Sequence, residues 1–286
     1  MDPFSVVTPA LRLRGKLMSF DTPRVMGVLN ITPDSFYAGS RSSLNELEDK
    51  VEKMISEGAD IIDVGACSTR PGSQSPDQQE ELARLLPALE LIRKTRPDFP
   101  VSVDTFRAEV ARVAVEDYQA DIINDVSGGS LDAEMFAMAA RLQVPYVLSH
   151  IQGQPENMQQ APHYRHLMAE ICSKLAFNAA RLRDLGLNDL IIDPGFGFGK
   201  SLENNYELLR RLEDLSILDA PIMVGLSRKS FIYNLLNCRP EEALNGTTVV
   251  NTLALWFGAR ILRVHDVREA VECVRMVQLC KTAGLC

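Results

Sequence analysis

Short apolar runs rich in β-branched residues recur along the whole chain, and segments with helical periodicity separate them. Runs of this length and composition are typical of strands that are buried on both faces of a parallel sheet. We count eight of them, at residues 25–29, 60–64, 101–103, 121–123, 144–148, 190–192, 221–224 and 261–264. The pattern therefore predicts alternating strands and helices from residue 25 onwards.

The segments between the runs carry signals for helix starts and ends. Apolar residues share one helical face at Leu44, Leu47, Val51, Met54 and Ile55. Three pairs fit a capping box at a helix start, namely Ser43 with Glu46, Asp77 with Glu80, and Asp266 with Glu269. Gly58 and Gly186 stand where a helix should end before the next strand.

Eight strand–helix units in a chain of 286 residues indicate an α/β protein with a closed (β/α)8 TIM barrel. An open, doubly wound sheet is the structural alternative, but no Gly-x-Gly-x-x-Gly segment follows the first strand. We assign residues 24–286 to a single barrel domain. Residues 1–23 form an N-terminal extension that we interpret as a hairpin closing the bottom of the barrel, with Gly15 at its turn.

Polar residues stand at or just after the carboxyl end of every predicted strand. They are Asn30, Asp63, Asp104, Asn124, His150, Asp193, Ser227 and His265. In a TIM barrel these ends meet at one mouth, where active sites are built. Any strand must leave the core through polar residues, but amides, carboxylates and imidazoles recur here. This recurrence favours a functional site over chance.

Several of these exits carry further candidate chemistry. Asp193 opens a glycine-rich loop that contains two phenylalanines, which suits close backbone approach to a flat ligand. Lys229 follows the seventh strand, and Arg263 and His265 alternate on the eighth, where barrels commonly bind phosphate. Asp104 is open to two interpretations, because it could bind a heterocycle or cap the next helix.

Composition and charge restrict the classes of function. The chain is 46% hydrophobic and 24% charged, as in ordinary globular proteins, and its net charge of −8 argues against nucleic acid as a partner. Its six cysteines contain no Cys-x-x-Cys pair, which favours reduced thiols and a cytoplasmic location. We find no signal peptide, no apolar run long enough to span a membrane, and no transition-metal ligand spacing.

The strand-end motifs, taken in order, resemble those of the dihydropteroate synthases, a pterin-binding TIM-barrel family. The matching segments are Val28-Leu29-Asn30-Ile31-Thr32-Pro33-Asp34-Ser35-Phe36, Ser68-Thr69-Arg70-Pro71-Gly72, Val103-Asp104-Thr105, Asn124-Asp125-Val126-Ser127-Gly128-Gly129, Asp193-Pro194-Gly195-Phe196-Gly197-Phe198-Gly199-Lys200, Ser227-Arg228-Lys229-Ser230 and Arg263-Val264-His265-Asp266. Each segment is modest alone, but the ordered set is specific.

The resemblance implies a transferase of folate biosynthesis that joins 4-aminobenzoate to 6-hydroxymethyl-7,8-dihydropterin diphosphate. It implies pterin binding by Asp104, Asn124, Asp193 and Lys229. It implies diphosphate binding by Asn30, Thr69, Arg263 and His265. It implies a 4-aminobenzoate pocket of Thr69, Arg70, Pro71, Phe198 and Ser230. Lys229, Arg263 and Asp104 would be catalytic, Asn30 would also bind the cofactor Mg²⁺, and the enzyme would be a cytoplasmic homodimer inhibited by sulfonamides.

The chain departs from the family pattern at two places. Gly65-Ala66-Cys67 stands where the family often has Gly-Gly-Glu, and Ser149-His150-Ile151 replaces Met-His-Met. Two other functions compete with the synthase, a methyltetrahydrofolate-dependent methyltransferase and a non-catalytic pterin-binding paralogue. The methyltransferase would not need the Ser-Thr-Arg-Pro-Gly or Ser-Arg-Lys-Ser motifs or the Arg263 and His265 pair, and Asn30, Arg70, Lys229 and Arg263 argue against the paralogue.

Overall fold

Eight parallel strands form the centre of the protein in a computed structural model that describes residues 10–31, 41–67, 76–153 and 162–283. The strands, numbered after an N-terminal hairpin, are β3 (Arg24–Asn30), β4 (Ile61–Gly65), β5 (Val101–Asp104), β6 (Ile122–Asp125), β7 (Tyr146–Ser149), β8 (Leu190–Asp193), β9 (Met223–Val224) and β10 (Ile261–Val264). All eight overlap the apolar runs, so the predicted strands are confirmed.

Helices follow the strands in the predicted alternation. They are α1 (Arg41–Ser56), α2 (Gln78–Thr95), α3 (Ala108–Glu116), α4 (Met135–Leu142), α5 (Leu167–Asp184), α6 (Leu202–Arg210), α7 (Ser230–Leu236), α8 (Leu244–Trp256) and α9 (Val267–Thr282). Short 3-10 helices, Leu212–Leu218 and Pro240–Glu242, lie before β9 and α8.

The strands close into a ring, which decides between the barrel and the open sheet. Along the sheet the order is β8-β7-β6-β5-β4-β3-β10-β9, and β10 pairs with β3 in parallel. The ring closes where Ile192 of β8 bridges Ile222, with the Ile192 amide donating to the Pro221 carbonyl at 2.9 Å. The predicted (β/α)8 TIM barrel is therefore confirmed.

A hairpin covers the end of the barrel where the strands begin. β1 (Ala10–Leu13) and β2 (Lys16–Ser19) pair antiparallel around Arg14 and Gly15, both of which have positive φ. Its apolar side chains join the inward-facing residues of the barrel strands in one buried cluster, which contains Leu11, Leu13, Phe20, Met26, Ile61, Ile122, Val147, Ile191, Met223 and Ile261. The division of the chain at residue 23 stays a prediction.

The structure agrees with some of the predicted helix ends and differs from others. Asp77 caps α2 by accepting the Glu80 amide at 2.8 Å, which is one of the two hydrogen bonds of the predicted capping box. The capping box at Asp266 is wrong, because its side chain does not cap α9 and instead pairs with Arg228. α1 begins at Arg41, ahead of the predicted cap at Ser43. Gly58 and Gly186 have φ of +100° and +90°, which fits the ends of the preceding helices.

Within the described residues, no helix combines the length and apolar character needed to cross a membrane. Five of the cysteines lie in this part of the chain, and all five are free thiols.

Candidate active site

The strand-end residues lie side by side because the strands of the barrel are in register. Asn30 pairs with Gly65, Gly65 with Asp104, and Asp104 with Asn124 across β3 to β6. Asp193 of β8 is level with Ser149 of β7 in the same way. Because side chains alternate between the inside and the outside of the barrel, the polar side chains at this level that face inward point into its mouth.

Arg263 forms the centre of this layer. Its Nε donates to Oδ2 of Asp63 at 2.7 Å, and its Nη2 donates to Oδ2 of Asp104 at 2.6 Å. The same Asp63 oxygen accepts the Nδ2 amide of Asn124 at 3.0 Å. Asp63 is completely buried, and Asp104 and Asn124 are less than one-tenth exposed. These four residues therefore form one hydrogen-bonded group across four strands.

The charges of this group favour binding of a polar ligand. Burial raises the pKa of Asp104 to about 7, and Arg263 opposes that rise. Burial lowers the pKa of Arg263, but Asp63 and Asp104 outweigh it and hold the guanidinium charged. Oδ1 of Asn124 and Oδ1 of Asp63 are buried without a hydrogen-bond partner among the described residues. Both oxygens are therefore able to accept hydrogen bonds from a ligand that carries N–H groups.

A glycine-rich turn after β8 brings Lys229 to the same mouth. Oδ1 of Asp193 accepts the Gly195 amide at 2.8 Å and so begins the turn. The Lys229 ammonium donates to the Phe196 carbonyl and lies 4.3 Å from the ring centroid of Phe198. Burial lowers the pKa of Lys229 to about 8, while Asp193 acts in the opposite direction. Burial also raises the pKa of Asp193 above its usual value.

The two cations after β9 occupy different places, although they are neighbours in sequence. Arg228 has a φ of +53° and makes a bidentate ion pair with Asp266, with Nε and Nη2 at 2.9 and 2.8 Å from its oxygens. It also donates to the carbonyls of Pro240 and Glu241. Arg228 therefore joins loops outside the mouth, and Lys229 alone of this pair reaches Phe198.

His265 stands beside the seventh strand-end loop. Its Nδ1 lies 3.1 Å from Oγ of Ser227, and its backbone amide donates to the same hydroxyl at 3.3 Å. Ser227 is buried whereas His265 is exposed at the rim. An exposed imidazole oriented by a hydroxyl can meet an anion that approaches from solvent.

The remaining predicted residues divide into described and undescribed positions. Asn30 is exposed at the end of β3, Ser230 begins α7, and Phe198 contacts Lys229. Thr69, Arg70 and Pro71 lie outside the described residues. The alternative role of Asp104 as a helix cap is wrong, because α3 has no side-chain cap and Asp104 pairs with Arg263.

Sequence reasoning named three further residues without assigning them a contact. Asp63 binds both Asn124 and Arg263, and Lys200 lies 3.1 Å from Nδ1 of His150. Asp63 carried a usable signal, since it is a carboxylate inside an otherwise apolar strand. The contact between Lys200 and His150 joins residues 50 positions apart and had no such signal.

Comparison with known proteins places this geometry in a family. Residues 26–265 match the family of pterin binding enzymes. Dihydropteroate synthase of Escherichia coli K12 is 42% identical over 93% of this chain and 94% of its own length. Dihydropteroate synthase of Synechocystis is 41% identical over 91% of this chain and 88% of its own.

Solved structures agree with the sequence relatives. A Yersinia pestis dihydropteroate synthase with a sulfonamide drug complex has a TM-score of 0.88 at 39% identity, covering 96% of this chain and 100% of that one. A Xanthomonas albilineans dihydropteroate synthase with 4-aminobenzoic acid has a TM-score of 0.87 at 38% identity, covering 96% and 99%. The chain therefore belongs to the pterin binding enzymes and, among them, to the dihydropteroate synthases, which makes it a transferase.

Proposed function

We propose that the chain condenses 6-hydroxymethyl-7,8-dihydropterin diphosphate with 4-aminobenzoate, and releases 7,8-dihydropteroate and diphosphate in folate biosynthesis. The observation that carries this proposal is the group of Asp63, Asp104, Asn124 and Arg263, which combines buried donors, acceptors and charge at one mouth. Family membership and the named relatives support the same reaction.

We assign the pterin to Asp104, Asn124, Asp193 and Lys229. A pterin ring carries amide, guanidine-like and ring nitrogen groups, so its binding site needs both acceptors and donors. Asn124 offers an unpaired buried oxygen, the carboxylates offer acceptors, and Lys229 offers a cation. Asp193 suits the guanidine-like edge because a carboxylate can accept two parallel N–H bonds.

We assign the diphosphate to Asn30, Thr69, Arg263 and His265. The Arg263 guanidinium is held charged by two carboxylates, and two of its nitrogens are already engaged. Its Nη1 has no hydrogen-bond partner in the described part of the chain and remains as a donor. His265 at the rim supplies a second group for the leaving anion.

We assign 4-aminobenzoate to Thr69, Arg70 and Pro71 with Phe198 and Ser230. Phe198 offers a ring face beside Lys229, so that the aromatic amine would lie next to the pterin site. Ser230 directly follows Lys229 and is the first residue of α7. Arg70 would pair with the carboxylate of the substrate.

The bond from the pterin methylene carbon to the diphosphate oxygen breaks first, and the oxygen keeps the electron pair. Arg263 and His265 stabilise the departing charge, while Asp104 and Asp193 stabilise the cationic methylene that remains. The arylamine nitrogen then forms the new C–N bond with its lone pair, and the departing diphosphate accepts the proton that the nitrogen loses. Preorganised charge and positioning account for this chemistry without a covalent enzyme intermediate. We therefore assign Asp104 and Arg263 as catalytic residues, together with Lys229, whose cation would border both substrates.

The residues present fit Mg²⁺ carried in with the substrate. Within the described ranges, no cluster of three or more His, Cys, Asp or Glu side chains could hold a metal ion. Mg²⁺ is usually bound by one or two protein oxygens together with phosphate oxygens and waters, which needs no such cluster. Asn30 offers an exposed amide oxygen at the mouth. When bound, Mg²⁺ would neutralise part of the diphosphate charge.

A direct assay tests this function. Purified protein is incubated with the pterin diphosphate, labelled 4-aminobenzoate and Mg²⁺, and labelled dihydropteroate is measured. Product that requires all three components is the expected result. Absence of product with intact pterin binding would contradict the function and favour the non-catalytic paralogue, and methyl transfer from methyltetrahydrofolate would favour the methyltransferase.

We further infer a cytoplasmic homodimer that uses α8 and α9. Large apolar side chains are exposed on these two packed helices, at Val249, Leu253, Trp256, Met276 and Leu279. The α8 residues recur at helical spacing and so share one face. Adjacent exposed apolar patches mark association surfaces. Light scattering on the parent and on Trp256→Glu tests the inference, since the variant should be monomeric and a parent monomer would contradict it.

A further inference from the structure

A buried lysine that has no role in the proposed reaction contacts the same glycine-rich turn as Lys229. Lys200 is 3% exposed, and its Nζ donates to the Gly195 carbonyl at 2.9 Å and to the Phe198 carbonyl at 3.2 Å. Its third neighbour is Nδ1 of His150 at 3.1 Å. Among the described residues, no carboxylate lies close enough to form an ion pair with it. An ammonium group is thus buried against neutral acceptors.

The two carbonyls belong to the two ends of one turn. Residues 195–198 form this turn, and the Phe198 amide also donates to the Gly195 carbonyl at 3.1 Å. The middle of the turn supplies the Phe196 carbonyl that accepts from Lys229, and its end supplies the Phe198 ring beneath Lys229. Lys200 and Lys229 therefore donate to different carbonyls of the same turn.

The contact with His150 joins this turn to the loop after β7. When Lys200 is an ammonium group it can only donate, so in that state Nδ1 of His150 accepts and the imidazole is neutral. Burial, together with Lys200 and Lys174, lowers the pKa of His150 to about 2, which agrees with a neutral ring. The backbones also meet closely here, since a Cβ on Gly195 would lie 1.9 Å from the His150 carbonyl oxygen.

Burying an ammonium group without a carboxylate partner is unfavourable. Burial lowers the pKa of Lys200 to about 7, and Asp193 acts in the opposite direction. The lowered pKa reflects the unfavourable free energy of burying the charged form. A neutral apolar side chain could fill the same space without this unfavourable burial of charge. A buried lysine with a strongly lowered pKa, hydrogen-bonded to the backbone of a strand-end loop, is typical of functional sites.

We propose that Lys200 is a positioning residue for the condensation, and that the hydrogen bonds from its Nζ set the 195–198 turn so that Phe198, beside Lys229, faces the arylamine substrate. The role rests on the proposed function. It concerns the second substrate more than the first, because Lys200 donates to the carbonyl of Phe198 itself, a residue of the 4-aminobenzoate pocket. The pterin residues Asp193 and Lys229 meet the turn at other groups, the Gly195 amide and the Phe196 carbonyl, and Lys200 makes no hydrogen bond to any of the four pterin residues.

Steady-state kinetics of Lys200→Met test the proposal, because methionine keeps an unbranched chain but removes the donors. We expect the KM for 4-aminobenzoate to rise about tenfold or more, as for loss of a charge-assisted hydrogen bond, while the KM for the pterin diphosphate changes less than about threefold. Lys200→Gln, which keeps a shorter neutral donor, serves as a second variant with the same expected split if the methionine variant does not fold.

Lys174→Met is the matched control. Lys174 also donates to a backbone carbonyl of the loop after β7, at 2.7 Å from the Ile151 oxygen, but it makes no hydrogen bond to the 195–198 turn. We expect its two KM values to equal those of the parent. A Lys200→Met enzyme with a lower melting temperature and unchanged kinetics, or with both KM values raised equally, would contradict the positioning role. A parent protein without product would instead contradict the proposed function.

Discussion

Asn124 on β6 donates its side-chain amide to the carboxylate of Asp63 on β4, across the intervening strand β5, at 3.0 Å. A buried carboxylate can only accept, so this bond fixes which end of the Asn124 amide faces the ligand. The unpaired Oδ1 then becomes an acceptor in the mouth. Asp63 thereby sets the hydrogen-bonding pattern of a group that it shares with Arg263.

We predict that Asp63→Asn lowers kcat/KM for the pterin diphosphate about 10- to 100-fold, the effect of losing hydrogen bonds to a charged group. The new amide would let Asn124 turn over and would weaken the hold on Arg263. Pterin-dependent steady-state kinetics provide the measurement.

Asp121→Asn is the control for that variant. Asp121 is equally buried and pairs with Arg93 at 2.7 Å, but it precedes β6 at the opposite end of the barrel. It should lower the free energy of unfolding and leave the KM for pterin diphosphate unchanged. Equal kinetic losses in both variants would refute a specific role for Asp63.

A second prediction separates the cations Arg263 and Arg228. Arg263→Met should reduce kcat about 100- to 1,000-fold, the effect of losing a preorganised charge at the leaving group. Arg228→Met removes an ion pair with Asp266 outside the mouth and should lower the melting temperature with little change in kcat. Turnover and thermal unfolding of both variants are measured together. A kinetic loss in Arg228→Met as large as that in Arg263→Met would refute the distinction.

The lowered pKa of Lys229 predicts a pH dependence. Its pKa lies at about 8, so the free enzyme loses the ammonium charge as the pH rises through that value. We therefore expect kcat/KM to fall above pH 8. Lys229→Arg keeps its charge in this range, so its descending limb should move to higher pH. A limb that stays near pH 8 in that variant would assign the titration to another group.

Sulfonamides should compete with 4-aminobenzoate at Phe198. Phe198→Ala should raise the KM for 4-aminobenzoate and the sulfonamide inhibition constant by a similar factor of about ten, because both ligands would lose the same ring face. Phe177→Ala, at an exposed position on α5, should change neither constant. Undiminished turnover of the parent enzyme at saturating sulfonamide would contradict the prediction.

The sequence was sufficient for the barrel because buried parallel strands leave a local signature. Each strand is short and mostly apolar, so runs such as 144–148 and 190–192 are recognisable without any knowledge of their partners. Once the strands are located, the positions of their carboxyl ends are known, and these place Asp104, Asn124 and Arg263 near the mouth. The helix caps were less certain, because Asp266 could cap α9 or pair with Arg228, and the choice depends on a loop from another strand.

Contacts between distant loops could not be predicted from the sequence. Arg228 and Lys229 are adjacent cations after the same strand, so the sequence does not distinguish them. The backbone at Arg228 is left-handed, and in the structure Arg228 pairs with Asp266 whereas Lys229 lies over the ring of Phe198. Lys200 and His150 meet only because two loops approach within a distance that admits no side chain at Gly195. Such contacts depend on how the barrel brings distant loops together, and no local pattern in the sequence predicts this.

The pairing of β3 with β10 has a consequence for synthesis of the protein. The first strand of the barrel has as one neighbour the last strand of the barrel to be synthesised, with Arg24 beside Ile261. Until then β3 and the growing end of the sheet both present unpaired edges, which are sites of aggregation. A chain that stops before residue 261 should therefore be recovered as insoluble aggregate, and the nascent enzyme should depend on chaperones until its last strand has emerged.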